Sequence, residues 1–225
     1  MNNDLISAFT FFSSLASDER VFLLVRHGER NHITPNDPDF GAHVGLTERG
    51  REQALSLGRC IPQTGDMSFF SSPVGRCMET AQCIAKGRGI ENPQVQPLDC
   101  LAEYFVQDYD EYTKVLRAGF YEGICEWLKN EAEGKPRRTR EAFAPLSARS
   151  EEMLAMMLEK GNARFNIFAT HDAWIVPCLT HFCKMQFTPK RWMNYLTGMA
   201  VVTDAGKNVK RIVPVTALES GWLVF

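Results

Sequence analysis

The chain has 225 residues, of which 44% are hydrophobic and 23% charged. A core of this size favours one domain over residues 1–225. The formal net charge of −2 creates no overall positive field. We therefore expect neither nucleic acid nor a membrane surface as a partner, and any anion site must be local.

Apolar runs alternate with amphipathic segments along the chain. Runs typical of buried strands occur at 21–25, 67–70 and 165–169, and each ends in polar residues. Thr47 can cap a helix, and another helix is expected to begin at Pro73, which suits a first helical position. This alternation predicts an α/β fold in which helices cover both faces of a mainly parallel sheet, giving three αβα layers.

In such sheets, ligands bind beyond the carboxyl ends of the strands. The segments "RHGER", "SSPVGR" and "THD" each follow a predicted strand directly. We therefore expect three segments that are distant in sequence to meet at one rim of the sheet.

The alternation stops at residues 104–149, which we interpret as a helical insertion capping that rim. Its aromatic residues could line a pocket, but packing in the insertion's own small core is the simpler interpretation. These residues are Tyr104, Phe105, Tyr109, Tyr112, Phe120, Tyr121 and Trp127. The tail is predicted to form a hairpin of residues 200–203 and 209–215 around "DAGKN".

The seven cysteines are scattered rather than clustered as in a small disulfide framework, which favours a reducing compartment. The N-terminal stretch 1–20 has no Lys or Arg before its short apolar portion, so a signal peptide is not expected. No apolar run is long enough to span a bilayer. We expect a cytoplasmic protein.

His27 lies between Arg26 and Arg30, and two adjacent cations would depress the pKa of its imidazole. A neutral imidazole can attack phosphorus, while arginine forks bind phosphoryl oxygens. Gly28 is expected to let the backbone approach a ligand closely.

Two further segments supply complementary groups. Arg76 lies in the first turn of the helix after Pro73, where the backbone N–H groups also favour an anion. His171 and Asp172 follow the strand at 165–169, and a second histidine can donate a hydrogen bond to a phosphoryl group in the transition state.

With these segments in place, the chain resembles the histidine phosphatase superfamily, the phosphoglycerate-mutase-like proteins. "RHG", "LTERGREQALSLG", "SSPVGRCMETA", "LAE" and "THD" match the family's motifs in consistent order. The resemblance covers residues 21–103 and 150–205 and implies a phosphoglycerate-mutase-like fold. It also implies that His27 is the phosphorylated nucleophile, that Arg26 and Arg76 clamp phosphate, and that His171 completes the site.

The match is to the small branch, with some acid-phosphatase-like features. Arg30 and Asp172 are similar to residues of the acid phosphatase branch, whereas Glu103 in "LAE" is similar to the acidic residue of the mutase-like branch. Both Glu103 and Asp172 are candidates for the general acid. We favour Glu103, because a rim carboxyl near aromatic residues would be desolvated and protonated near neutrality. Asp172 would stay ionised beside the arginines and orient its neighbours.

Other chemistries fit the sequence less well. A metal site would need the loop residues His32, Asp37, Asp39 and His43, but the neighbouring arginines repel a cation. No cysteine has an arginine six positions later, as a cysteine phosphatase requires, and no GxxxxGK[ST] run is present. The basic run "KPRRTR" at 135–140 is interpreted as a solvated loop.

The sequence therefore predicts a hydrolase of small phosphomonoesters that needs no metal or cofactor. A phosphomutase with the same pocket and a catalytically silent scaffold for phosphorylated ligands are the alternatives. Specificity would lie in residues 104–149 and the loop 31–45, so neither the substrate nor the oligomeric state follows from the sequence.

Overall fold

A computed structural model describes residues 5–34, 37–137 and 139–224. Parts of three predicted segments lie outside the described residues. These parts are residues 1–4 of the N-terminal stretch, Pro35 and Asn36 of the loop 31–45, and Arg138 of the basic run.

The order of elements follows the predicted alternation. The helices are α1 (Ala8–Ser13), α2 (Glu48–Cys60), α3 (Gly75–Gly87), α4 (Tyr109–Ala132), α5 (Leu146–Lys160) and α6 (Asp172–Cys183). The strands are β1 (Ile6–Ser7), β2 (Arg20–Arg26), β3 (Met67–Ser71), β4 (Val95–Pro97), β5 (Phe165–Thr170), β6 (Arg191–Met193), β7 (Thr197–Thr203), β8 (Val209–Thr216) and β9 (Trp222–Val224). Short 3-10 helices occur at Pro38–Gly41 and Asp99–Ala102.

The central sheet has the order β1-β8-β7-β2-β5-β3-β4. Its pairs are parallel except for those that β7 makes with β2 and β8, so the predicted mainly parallel sheet is confirmed. The antiparallel β7–β8 pair is the predicted C-terminal hairpin.

Helices cover both faces of this sheet, as the alternation predicted. Along β2, Phe22 and Leu24 face a cluster that includes residues of α4, α5 and α6. Val21, Leu23 and Val25 face the opposite cluster, which includes residues of α1, α2 and α3. Burial on both faces explains why β2 is continuously apolar rather than alternating.

Helix starts are explained by local chemistry. Thr47 is the N-cap of α2 and accepts a hydrogen bond from the Gly50 N–H, as predicted. Pro73, however, precedes the N-cap Val74 of α3 and is not the first helical residue. It occupies the turn after β3, where its missing N–H leaves no unsatisfied donor.

The predicted insertion 104–149 contains one long helix, α4, which is kinked at Gly119 (φ 147°, ψ 104°). Its aromatic residues do not form a separate small core. Phe105 and Trp127 belong to the same cluster as Phe22 of the sheet. Tyr109 is instead exposed.

Two features have no counterpart in the sequence prediction. Near the N-terminus, β1 pairs with β8 and leads directly into α1. Near the C-terminus, β6 and β9 form a separate two-stranded ribbon. None of the helices in the described residues combines the length and the apolar character needed to cross a bilayer.

Candidate active site

The three predicted segments meet at the carboxyl rim of β2, β3 and β5. Backbone hydrogen bonds continue the ladder beyond the strands, from His27 N to Thr170 O at 3.0 Å and from Ser72 N to Ala169 O at 2.9 Å. The ring centroids of His27 and His171 are therefore only 5.6 Å apart. We refer to Arg26, His27, Arg30, Arg76 and His171 as the basic cluster.

His27 is almost fully buried, with 2% of its surface exposed. Its Nδ1 lies 2.8 Å from the Gly28 carbonyl oxygen, which can only accept, so Nδ1 carries the proton and the lone pair is on Nε2. Burial, followed by the charges of Arg26, His171 and Arg76, holds the pKa of His27 well below its usual range. The ring is thus a neutral base with a defined tautomer.

Arg26 and Asp172 form a buried ion pair, with Nη2 and Oδ2 3.1 Å apart. Nη1 of Arg26 donates to the Met193 carbonyl at 2.5 Å. The Trp192 indole N–H donates to Asp172 Oδ2 at 2.8 Å. Burial opposes ionisation of Asp172, but Arg26 and the Trp192 hydrogen bond outweigh it and lower the pKa of this carboxyl.

Arg76 and Arg30 complete the positive side of the cluster. Arg76 Nη1 donates to the Gly41 carbonyl at 2.9 Å, and burial lowers the pKa of this guanidinium. The charge of Arg30 also acts on Arg76 and His171. Within the described chain, the Nε atoms of Arg26, Arg30 and Arg76 are buried without a hydrogen-bond partner. Three unsatisfied buried guanidinium nitrogens in one cluster are what an absent anion would leave.

His171 is the N-cap of α6 and is partly exposed. Its Nε2 lies 3.1 Å from the Ser72 hydroxyl and 3.6 Å from the Cys77 sulfur. Burial of the ring, together with the charges of Arg76 and Arg26, lowers the pKa of His171 to about 3. Burial raises the pKa of Cys77 to about 12, so the thiol beside this histidine is uncharged.

Gly28 makes a close backbone contact with the start of α2. A Cβ atom at this position would lie 2.6 Å from the Gly50 carbonyl oxygen, and a Cβ atom at Gly50 would collide with the Glu29 backbone. The glycine thus lets the loop after β2 pack directly on the start of α2, and the approach of its backbone to a ligand stays a prediction. Thr80 fixes the same loop by accepting a hydrogen bond from Gly28 N at 3.0 Å.

Glu103 is the residue that follows the 3-10 helix Asp99–Ala102, and it is exposed to solvent. The predicted desolvation of this carboxyl is therefore wrong. Leu101 and Phe105 on either side are fully buried, and the turn that directs both of them into the core directs Glu103 outward.

Groups that could bind other ligands are paired within the protein. In the candidate metal loop, Asp39 pairs with His43 at 2.9 Å and Asp37 accepts a hydrogen bond from Thr34. No group of three or more His, Cys, Asp and Glu residues suited to a metal occurs in the described ranges.

A cleft of about 450 Å³ lies between α4 and residues 135–143, away from the basic cluster. Its charges pair with one another or with nearby acids, so it shows no preference for one sign of charge.

Sequence reasoning missed several neighbours of the cluster. Ser72, Cys77 and Thr80 lie inside the "SSPVGRCMETA" segment, so their places in that motif were an available signal. Trp192 and Tyr195 had none, because β6 is only three residues long. The Tyr195 ring lies 4.3 Å below the Arg26 guanidinium and 5.8 Å from the His27 ring.

Comparisons with known proteins agree with this arrangement. The family described as the histidine phosphatase superfamily (branch 1) matches residues 22–213. An acid phosphatase of Mycobacterium tuberculosis is 30% identical over 174 residues, which cover 76% of this chain and 75% of that protein. A probable phosphoglycerate mutase of Cronobacter sakazakii is 32% identical over 79 residues, or 34% of this chain and 37% of that protein.

Solved structures share the fold at low sequence identity. A phosphoserine phosphatase from Entamoeba histolytica, in complex with 3-phosphoglyceric acid, has a TM-score of 0.52 at 18% identity, covering 87% of this chain and 96% of that one. A mycobacterial glucosyl-3-phosphoglycerate phosphatase has a TM-score of 0.52 at 17% identity, covering 87% and 97%. These similarities establish the architecture of the chain and leave its substrate to other arguments.

Proposed function

The chain belongs to the histidine phosphatase superfamily, and we propose that it is a metal-independent phosphomonoester hydrolase working through a phosphohistidine. Membership of this superfamily makes it a phosphatase or mutase type of enzyme. The observation that carries this proposal is the combination of a neutral His27 with three arginines whose buried Nε atoms have no hydrogen-bond partner among the described residues. A nucleophile of this kind needs a cationic surrounding to accept a phosphoryl group.

In the first step, the Nε2 lone pair of His27 attacks phosphorus and the bond from phosphorus to the ester oxygen breaks. The Glu103 carboxyl transfers a proton to the leaving oxygen, so an alcohol departs. In the second step, water attacks the phosphohistidine and gives up a proton to the Glu103 carboxylate. Inorganic phosphate leaves, and the lone pair on Nε2 is restored.

The positive charge for both steps comes from the protein. Arg26, Arg30 and Arg76 bind the phosphoryl oxygens, and neutral His171 donates a hydrogen bond to one of them. Asp172 stays ionised and holds Arg26 by the 3.1 Å pair. In a buried site these fixed groups stabilise the transition state more than water would.

We favour hydrolysis over phosphoryl return because two of the proposed site residues are open to solvent, although His27 itself is buried. Glu103 is exposed and His171 is partly exposed, whereas a mutase must keep water away from the phosphoenzyme. The mutase reading is supported by the similarity to a probable phosphoglycerate mutase, which covers about a third of the chain.

The substrate is proposed to be a small phosphomonoester, and the compartment to be the cytoplasm. All seven cysteines are thiols, including the exposed Cys100, which supports a reducing compartment.

The intermediate provides the direct test. Rapid mixing with a ³²P-labelled phosphomonoester, followed by quenching, should trap an acid-labile, base-stable adduct on His27. His27→Ala should give no adduct. The control is His181→Ala, which should leave labelling intact, because His181 lies on α6 and pairs with Glu151 of α5. Turnover without any adduct would favour direct attack by water.

The acceptor and the metal requirement can be tested in the same assay. Hydrolysis in H₂¹⁸O should place one labelled oxygen in each phosphate released, and a chelator should leave the rate unchanged. Transfer of the phosphoryl group back to the alcohol in place of phosphate release would support the mutase. Loss of activity in chelator, with rescue by zinc or magnesium, would overturn the metal-independent mechanism.

A further inference from the structure

The short strand β6 contacts two residues of the site at once. The Trp192 indole N–H donates to Asp172 Oδ2 at 2.8 Å, and the Met193 carbonyl accepts from Arg26 Nη1 at 2.5 Å. Asp172 Oδ2 in turn pairs with Arg26 Nη2 at 3.1 Å. These contacts form a closed loop in which β6 fixes both members of the ion pair.

The loop leaves one guanidinium nitrogen of Arg26 without a hydrogen-bond partner among the described residues. Nη1 and Nη2 are directed at Met193 and Asp172, and Nε is buried and unpartnered. Because the guanidinium is planar and rigid, fixing two nitrogens also fixes the third. The direction in which Arg26 can bind an anion is therefore set by Asp172 and β6.

Trp192 is itself held by the predicted cap. Its side chain is fully buried, and its ring centroid lies 5.0 Å from that of Tyr121 and 6.2 Å from that of Phe120, both on α4. Phe187 packs on it as well, at 5.9 Å. Both α4 residues directly follow the kink at Gly119. The indole thus joins the second half of α4 to the ion pair.

We propose that Trp192 is a positioning residue that holds Asp172, and through it Arg26, in the alignment required for phosphoryl transfer. The inference rests on the proposed function, because it assigns Arg26 to the phosphoryl group. It adds that Phe120 and Tyr121 of α4, which pack on Trp192, help to set the geometry of the phosphate clamp from a distance.

The test compares Trp192→Phe with Trp127→Phe. Both changes remove an indole from the same hydrophobic core, but Nε1 of Trp127 has no hydrogen-bond partner, so only the first change removes a contact to the site. Trp192→Phe should lower kcat about tenfold or more and change KM little, since misalignment of about 1 Å can cost up to about 100-fold. It should weaken inhibition by vanadate more than inhibition by phosphate, because alignment matters most for the transition-state geometry. Trp127→Phe should leave kcat and both inhibition constants close to the wild-type values.

Thermal unfolding of both variants shows whether they fold. If Trp192→Phe does not fold, Asp172→Asn probes the same loop, because the neutral amide keeps the volume but no longer pairs with Arg26. Asp172→Asn should also weaken inhibition by vanadate more than inhibition by phosphate. Suppose that the wild-type enzyme is active and that Trp192→Phe, or its substitute Asp172→Asn, has the same kcat and inhibition constants as Trp127→Phe. This result overturns this inference alone. Absence of turnover and of the His27 adduct in the wild type overturns the proposed function instead.

Discussion

The side chains of the basic cluster are close to charge balance with a phosphomonoester. Arg26, Arg30 and Arg76 contribute three positive charges, and the Asp172 carboxylate removes one of them. Because burial and the arginines keep His27 and His171 uncharged, two positive charges remain. A phosphomonoester dianion would neutralise them, which matches the unsatisfied Nε atoms of the three arginines.

The contribution of Arg76 can be measured by substitution. Arg76→Ala should lower kcat/KM at least tenfold, since a hydrogen bond to a charged group is worth about 1.5 to 3 kcal/mol. The matched control is Arg59→Ala, because Arg59 is an exposed residue at the end of α2 that pairs with Glu52. Steady-state kinetics on both variants decides the matter, and equal effects would mean that Arg76 does not bind the substrate.

The general acid can be identified by the dependence on the leaving group. Glu103→Gln should slow hydrolysis of an alkyl phosphate by about 100-fold, within the usual range for general acid catalysis. Hydrolysis of nitrophenyl phosphate should suffer much less, because nitrophenolate leaves without a proton. Glu103 is exposed, so its assignment as the acid rests on the resemblance of the "LAE" segment to the mutase-like branch.

Asp172→Asn provides the contrasting case. Its carboxyl is held ionised by Arg26 and Trp192, so it has no proton to give near neutrality. We expect its loss to slow alkyl and aryl substrates alike. If Asp172→Asn shows the leaving-group dependence and Glu103→Gln does not, the acid has been assigned to the wrong residue.

The residue types of the site could be read from the sequence, but their surroundings could not. The cations flanking His27 in sequence indicate the correct direction of its pKa shift, although burial is the largest cause and Arg26 is the flanking arginine that contributes. The exposure of Glu103 depends on which way one turn faces, and that is decided by the burial of Leu101 and Phe105. The inward and outward orientations of this turn differ only in tertiary packing, so no local sequence pattern distinguishes them.

At the scale of elements, the loop after β2 and the start of α2 form one unit. Gly28 and Gly50 lie back to back, and the Glu29 carbonyl accepts from Thr47 N at 2.9 Å. His27 is therefore positioned by helix α2, which begins 21 residues further along the chain. This contact gives a physical reason for the glycine of the "LTERG" segment.

Gly50→Ala tests this contact. The added Cβ would collide with the Glu29 backbone, so we expect a loss of about 1 to 3 kcal/mol in the free energy of unfolding and a lower kcat. Gly75→Ala is the matched control, because nothing lies within 4 Å of its Cβ position. In helix α3 this control should be neutral or stabilising by up to about 1 kcal/mol. Urea unfolding of both variants checks the expectation, and an unaffected Gly50→Ala would show that the loop and helix can separate.

Long periodic elements were predictable and short ones were not. Strands β2, β3 and β5 and the cap at Thr47 follow from hydrophobic runs and a capping residue. The β6–β9 ribbon has three residues in each strand, and its register depends on a partner about thirty residues away. The kink at Gly119 was not predictable either, because a lone glycine in a helical pattern has several possible roles.

At the scale of the whole molecule, the site exists because parallel strands end at one rim. Arg26 is in register with Thr170, and Ser71 with Ala169, so the residues that follow these strands necessarily meet. The parallel direction of the strands is enough to bring these distant segments together, so their meeting could be predicted from the sequence without side-chain detail. Two uncharged imidazoles therefore lie at this rim, His27 buried and His171 partly exposed, with a consequence for stability.

The free energy of unfolding should therefore fall as the pH is lowered from 7 to 5. Folding lowers the pKa of His27 and His171, so below pH 6.5 the unfolded chain binds protons that the folded chain does not. With the pKa of His171 lowered to about 3, this histidine removes about 2 kcal/mol between pH 7 and pH 5, and His27 acts in the same direction. Carboxyls whose pKa is lowered, such as Asp172 and Glu19, keep their contribution until the pH falls below about 4. Urea unfolding at pH 7, 6 and 5 measures how steeply the free energy of unfolding depends on pH, and His171→Gln should make this dependence shallower. A stability that is constant or rises over this range would mean that the two imidazoles are protonated in the folded protein, and His27 would then lack the lone pair required of a nucleophile.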